Sequence, residues 1–398
     1  MINEKMYALG SKRSTIREIF EYAKTRSAQI GKENVFDFSI GNPSVPAPAC
    51  VHATIKKLLE QIPSVELHGY TSAQGGKDVR DTIAANFTRR FGVPISGDDL
   101  YMTCGAAASL TITFKALANT GDEFIVFAPY FPEYRVFVEN AGAKLVVVEA
   151  DQDTLLPDFE ALKRAITPKT KGVLINSPSN PSGVVYGEKT IQKLAEILEA
   201  KSKEYGEPIY LISDEPYREL VYDPKTVVPC PMAYYADTVI CYSYSKSLSL
   251  PGERVGYIAV SPKAQDRKKL YAAVCGAGRS LGFVCAPALF QRVAAACDGQ
   301  TADLNVYRKN RDLLYNALTK FGFTCVYPDG AFYLFMKSPE AEAAAFCERA
   351  KKYELLFVNG EDFGAKGFVR IAYCVETDRI ERALPLFEKL ANDYGLKK

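Results

Sequence analysis

Four short apolar runs in this chain each end in residues that can do chemistry. Ile209 to Ser213 runs into Asp214-Glu215-Pro216-Tyr217. Gly172 to Ile175 runs into Asn176-Ser-Pro-Ser-Asn180-Pro-Ser-Gly183. Thr238 to Tyr242 runs into Ser243-Tyr-Ser245-Lys246-Ser247. Tyr101 to Thr103 runs into Cys104-Gly105-Ala106-Ala107 and then a helical pattern. Open α/β sheets bind ligands outside the carboxyl ends of their strands. An acid, an amide, an amine and a small-residue helix start would therefore share one edge.

Each group has a task there. The Gly105-Ala106-Ala107 turn would expose backbone N–H groups at a helix start, which attract phosphate. Ser243, Ser245 and Arg254, eight residues after the lysine, would complete that cradle. Lys246 is followed by the uncharged run Ser-Leu-Ser-Leu-Pro. A solvated surface lysine is the plain reading, and a nucleophilic amine the chemical one. A carbonyl cofactor with a phosphate handle, a phenolic oxygen and a ring nitrogen would use every group. Asp214 would pair with the protonated ring nitrogen, and Lys246 would form an imine. That description fits pyridoxal 5'-phosphate (PLP).

In order and spacing these motifs resemble those of the class I/II aminotransferases, the aspartate aminotransferase-like enzymes of fold type I. Asn180 precedes Asp214 by 34 residues, Lys246 follows by 32, Arg254 by 8 and Arg370 by 116. The resemblance runs from about Asp37 to the C-terminal helix. It implies that Lys246 is the Schiff-base lysine and the base that moves the Cα proton. Asp214 would hold the ring nitrogen protonated, and Asn180 and Tyr217 would bond the phenolic oxygen. Gly105, Ala106, Ala107, Ser243, Ser245 and Arg254 would bind phosphate. Phe131, in Pro129-Tyr130-Phe131-Pro132-x-Tyr134, would stack on the ring. Arg370 would grip the substrate α-carboxylate as a bidentate fork, beside Gly41 and Asn180. Tyr70 would reach the phosphate of a neighbouring subunit, making the active unit a homodimer. Arg279 is a candidate for the further cation that aspartate-specific members use, with a structural salt bridge the equal alternative. The implied reaction moves an amino group between an L-amino acid and a 2-oxo acid by a ping-pong mechanism, with aspartate or an aromatic amino acid among the expected donors.

Elements that could position these residues are legible in the pattern. Strand candidates are Glu123–Phe127, Lys144–Val148, Gly172–Asn176, Ile209–Ser213, Thr238–Tyr242 and Gly256–Val260. Helical patterns fall near 107–118, 132–141, 158–166, 188–204 and 262–275. Such alternation predicts an α/β fold with a mostly parallel sheet flanked by helices. After about residue 290, helices at 303–321, 340–353 and 377–394 alternate with Cys325–Tyr327, Phe332–Met336 and Phe368–Ala372. A smaller α+β domain is expected there. The expected division is 46–292 for the large PLP-binding domain, and 1–45 with 293–398 for the small one. A helix over 15–30 would set Ile16, Ile19, Phe20, Ala23 and Ser27 on one side. The segment Ser14–Gly31 lies where closing segments occur in the family.

Composition narrows the classes. The chain has 398 residues, 47% hydrophobic and 24% charged, an ordinary globular mix. Its net charge of +2 gives no sign of a nucleic-acid partner. No apolar run is long and unbroken enough to predict a membrane span. Ten cysteines without a C-x-x-C pair, and a polar start unlike a signal peptide, lead to a cytoplasmic expectation. Two histidines, and no cysteine cluster, leave no metal site to propose. Three rivals share some of these features. A β-lyase, decarboxylase or acyl-transferring synthase would use the same cofactor residues. A PLP-binding regulator would bring a further domain. A nucleotide-binding dehydrogenase would need G-x-G-x-x-G after its first strand.

Overall fold

A computed structural model of the chain describes residues 2–11 and 15–396. Along it run strands β1 (Phe36–Asp37), β2 (Leu100–Thr103), β3 (Glu123–Ala128), β4 (Lys144–Glu149), β5 (Thr170–Asn176), β6 (Tyr210–Asp214) and β7 (Thr238–Ser243). They are followed by β8 (Gly256–Val260), β9 (Cys325–Val326), β10 (Tyr333–Lys337), β11 (Leu355–Leu356), β12 (Val358–Asn359) and β13 (Phe368–Ala372).

Seven strands form one sheet in the order β2-β8-β7-β6-β5-β3-β4. Only β8 runs against its neighbours; the other pairings are parallel. The expected mostly parallel α/β sheet is therefore present. β5 to β8 are buried along almost their whole length, as sheet strands covered on both faces must be. One face packs Phe124, Leu174, Ile212 and Ile258 against helices Ala106–Leu117 and Arg267–Ser280. On the other, Val173, Ile175 and Leu211 meet Ile191, Leu194 and Leu198 of helix Glu188–Tyr205. Register sets the working edge. Asn176 stands opposite Asp214, Asp214 opposite Cys241, Ser243 opposite Gly256 and Gly256 opposite Thr103. The carboxyl ends of β2, β5, β6 and β7 thus come out together.

A second sheet, β12-β13-β10-β9, is antiparallel throughout. Its core combines Leu334, Val369 and Ile371 with the helices Leu304–Lys320 and Thr377–Asp393. Phe36, Phe38 and Val45 from the start of the chain join the same core. β1 pairs in parallel with β11.

Some expectations shift. Helix Thr15–Ile30 buries Ile19 and Ala23, but Phe20 is 44% exposed. At 100° per residue Phe20 stands roughly 80° from the Ile19–Ala23 line, off the stripe that meets Val35, Leu356 and Val358. Ser14, the first residue of the predicted closing segment, lies outside the described residues. The helix expected over 340–353 is shorter, Ala343–Ala350, and passes into a 3-10 turn. Helices Ala49–Gln61 and Lys77–Phe91 were not expected. Lys77–Phe91 does carry a signal: Val79, Ile83 and Phe87 are buried at a spacing of four. Among the described residues no helix is long and apolar enough to cross a membrane.

Gly256, where β8 starts, tests the close packing behind the working edge. A Cβ there would lie 2.2 Å from the Tyr242 carbonyl oxygen and 3.1 Å from Gly105 Cα. Gly256→Ala should lower stability by about 1–3 kcal/mol through overpacking, read as a lower denaturant midpoint. Gly252→Ala, with nothing within 4 Å of the new carbon, is the control and should leave the midpoint near that of the unmutated protein.

Candidate active site

Loops at that edge build a cleft of about 290 Å³. Gly41, Ala106, Ala107, Phe131, Asn180 and Asp214 line it, together with Tyr217, Ser243, Ser245, Lys246, Arg254 and Arg370. Gly105 lies directly behind it at φ 85°, a conformation that suits glycine. A Cβ on Gly105 would meet Arg254 Nη2 at 2.9 Å.

Asp214 ends β6 and is buried. Tyr134 donates a 2.6 Å hydrogen bond to its Oδ2. Asn176 Nδ2 donates to its backbone carbonyl at 2.8 Å. Its Oδ1 has no partner. Burial, with a smaller contribution from the neighbouring charge of Glu215, pushes this carboxyl up to about 7 against the lowering effect of Tyr134. An isolated buried carboxylate is costly, so Oδ1 is suited to a cationic N–H that the chain does not supply.

Lys246 sits in a short turn of helix, Tyr244–Ser247, capped by Ser243. Its Nζ donates to the Gly41 carbonyl oxygen at 2.7 Å. Burial lowers its pKa to about 8; Cys374 opposes this, and the positive charges of Arg254 and Arg370 add to it. A lysine in this state has a usable neutral fraction near neutrality.

Two groups of residues suited to anions flank the amine. At one end the Ser243 and Ser245 hydroxyls lie 2.8 Å apart, with Arg254 Nη1 3.5 Å from Ser245 Oγ. The helix Ala106–Leu117 starts there. Arg370 forms the other end from β13. It is 2% exposed and donates to Asn180 Oδ1 at 2.9 Å and to the Ser39 carbonyl. No acidic side chain among the described residues pairs with it, its Nε is unbonded, and burial lowers its pKa. Such a guanidinium is prepared for a carboxylate.

These residues fit PLP. The unbonded Asp214 Oδ1 suits a pyridinium N–H. The Ser243–Ser245–Arg254 cluster beside an open helix start suits a phosphate dianion. Phe131, half-buried on the cleft wall, offers a ring face. Two expected residues lie apart. Tyr70 does not line the cleft and is fully exposed. Arg279, exposed near the end of helix Arg267–Ser280, does not line it either.

Sequence reasoning also passed over several residues. Tyr134 stood inside a quoted motif, one helical turn after Phe131, without a role. Ile16, Ile40 and Phe137 line the cleft, yet nothing sets them apart from core residues in sequence. Tyr333 lines it too, and its hydroxyl lies 2.9 Å from that of Tyr217. Only the pairing of β10 with β13 shows why it is there.

Fold and cleft together describe an enzyme of fold type I. The chain belongs to the family described as Aminotransferase class I and II, which matches residues 33–385, and it is a PLP-dependent aminotransferase. An aspartate aminotransferase of Thermotoga maritima is 30% identical over 376 residues, covering 93% of this chain and 95% of that one. The crystal structure of an aminotransferase from Eubacterium rectale is 56% identical with a TM-score of 0.97, covering 99% of both chains. The aspartate aminotransferase of Thermus thermophilus with maleate is 26% identical with a TM-score of 0.85, covering 98% of this chain and 99% of that one.

The depressed Lys246 can be measured directly. A lysine with a pKa of about 8 is half neutral at that pH and protonated below it. Acetylation of Lys246 in cofactor-free protein should therefore rise with pH to a midpoint near 8 and level off above. Peptide mass mapping gives the rate, and a midpoint near the ordinary 10.5 would contradict the burial argument.

Proposed function

We propose that the cleft transfers the amino group of an L-amino acid to a 2-oxo acid with Lys246 as its reactive amine. The observation that carries this reading is the unbonded, buried Asp214 Oδ1 at the strand-end edge that also bears a neutral-leaning lysine. When bound, PLP supplies an electron-withdrawing ring that stabilises negative charge at the amino acid's Cα.

The chain's own residues do the rest. With PLP bound, Lys246 Nζ would hold it, and once freed by the substrate amine would take the proton from the substrate's Cα and deliver it to the cofactor carbon that receives the amino group. Asp214 keeps a proton on the ring nitrogen by offering Oδ1. Asn180 and Tyr217 bond the phenolic oxygen. Gly105, Ala106, Ala107, Ser243, Ser245 and Arg254 bind phosphate, and Phe131 covers the ring. Arg370, with Gly41 and Asn180 beside it, binds the substrate α-carboxylate and so fixes the Cα hydrogen's direction.

The same reading divides the chain into a large PLP-binding domain, 46–292, and a small domain of 1–45 and 293–398. Support comes from the packing of Phe36, Phe38 and Val45 with the C-terminal core. It makes the active unit a homodimer in which Tyr70 meets the partner's phosphate site; the full exposure of that phenol supports this. A cytoplasmic setting is supported by ten free cysteines. For the donor, the relatives' names support aspartate, whereas Ile16, Phe131 and Phe137 on the cleft wall support an aromatic side chain.

A spectrum of the PLP-loaded protein tests the reading. One amino acid from a panel should shift its visible band, and 2-oxoglutarate or another 2-oxo acid should restore it. Pyruvate and ammonia released without an acceptor would favour a β-lyase instead. Lys246→Ala should abolish turnover, and borohydride reduction of unmutated protein should label position 246. Asp214→Asn should lower kcat on the order of 10²–10³-fold, as loss of one preorganised charge does. The sign for stability is opposite. Asp214 has its pKa raised by folding, so its ionised form opposes folding as pH rises through about 7. Cofactor-free Asp214→Asn should therefore unfold at the same or a higher denaturant concentration than the unmutated protein at pH 8.

A further inference from the structure

The roles above give work to Tyr217 and Arg370 and none to the residue that touches both. Tyr333 opens β10 and is 2% exposed. Its hydroxyl lies 2.9 Å from the Tyr217 hydroxyl, and its ring faces the Arg370 guanidinium carbon at 4.6 Å. Sheet register produces the second contact. Tyr333 stands opposite Ala372 and Phe335 opposite Arg370, so Tyr333 and Arg370 are diagonal neighbours on one face. The backbone at residue 41 is shaped around the same hydroxyl: a Cβ there would come within 1.9 Å of it.

We propose that Tyr333 is a positioning residue that serves both halves of the site, its hydroxyl orienting the Tyr217 phenol toward the cofactor's phenolic oxygen and its ring holding the Arg370 fork in place for the substrate carboxylate. This rests on the roles assigned to Tyr217 and Arg370 above.

Proton counting supports the first half. Two phenols at 2.9 Å share one hydrogen bond, and either can donate. Once Tyr217 spends its only proton on an anionic oxygen, the proton between the two hydroxyls must come from Tyr333. A phenol that accepts one hydrogen bond donates the next more strongly. Tyr333 thereby favours the ionised form of the oxygen that Tyr217 bonds. The charged and titratable neighbours are few. Tyr217 faces Tyr333, Arg370 and Asp214, and Tyr333 faces Arg370, Cys374 and Tyr217. Among the described residues none of them gives Tyr217 Oη a second hydrogen bond, so removal of the Tyr333 hydroxyl leaves no replacement among them.

For the second half, a guanidinium packed on an aromatic face keeps its plane while its edge stays free. Arg370 has Tyr333 at 4.6 Å and Phe363 at 4.8 Å, so the two rings restrain it.

The test uses PLP-loaded protein carrying Tyr333→Phe, Tyr333→Leu, Tyr217→Phe, or Tyr217→Phe with Tyr333→Phe. The readouts are the pH midpoint of the visible absorbance band and the KM for the best donor in the panel. Tyr333→Phe should raise the midpoint by about 0.5–1 pH unit, the worth of one hydrogen bond, with KM within about twofold because the ring remains. In the Tyr217→Phe background the same substitution should move the midpoint little, since the hydroxyl acts through Tyr217. Tyr333→Leu should raise KM by about 5–30-fold as well. A purely structural tyrosine would change the amount of folded, PLP-binding protein and neither readout. An unmoved midpoint in Tyr333→Phe, beside a normal titration of the unmutated protein, overturns the proposal alone. If the unmutated protein shows no titrating band, the proposal falls together with the reading of Lys246. Should Tyr333→Leu fail to fold, Tyr333→Phe, which lacks only one buried hydroxyl, still decides.

Discussion

Asp214 ends a central strand with one oxygen bonded by Tyr134 and the other bonded by nothing. Burying such a group ionised is unfavourable unless a positive partner arrives, and burial already pushes its pKa to about 7. The surrounding architecture keeps the deficit in place. Parallel pairing of β5 with β6 sets Asn176 opposite Asp214, where its amide secures the backbone. The Asn176 side-chain carbonyl accepts from the Asn180 N–H at 2.6 Å, which fixes the turn carrying Asn180. One unsatisfied oxygen is thus held by a hydrogen-bonded frame that leads to the other end of the cleft.

That other end is where the two sheets cooperate. Arg370 belongs to β13, yet its guanidinium bonds Asn180 from the loop after β5 and the Ser39 carbonyl near β1. Lys246, from the segment after β7, donates to Gly41. The amine and the guanidinium are therefore each fastened to elements from another part of the sequence. Neither sheet alone could hold the two cationic groups on either side of one cleft, as the proposed carboxylate grip and base would require.

What could be read in the sequence follows from this division. Strand-end residues were legible because each apolar run of the large sheet is nearly continuous and is followed at once by its polar cargo: Asp214 after Ser213, Asn176 after Ile175, Ser243 after Tyr242. Local order carried the information. Tyr333 was not legible, because its chemistry comes from the register of two strands with 35 residues between their starts. Ile16 and Phe137 read as ordinary core residues, since an apolar side chain carries no mark of facing a ligand. Lys77–Phe91 was missed although its spacing was regular; only five of its fifteen residues are buried, and charged residues hid the stripe. Phe20 shows the opposite error, an apolar residue assigned to a face that is narrower than the pattern suggested.

The charges of the cleft also bear on one another. Lys246, Arg254 and Arg370 are three cationic groups around one space, and the last two depress the first. Each anion that enters at an assigned place removes part of that depression. On the proposed roles, a phosphate at Arg254 would cancel one repulsion, and a substrate carboxylate at Arg370 would cancel the other. With burial adding the larger part of the depression, Lys246 has a larger neutral fraction than a solvated lysine, as the proposed bond to the cofactor would require. Once both anions are seated, its proton affinity rises, as removal of a Cα proton requires. Burial is the main cause of the lowered pKa, and the two arginines add a smaller part that bound anions would remove.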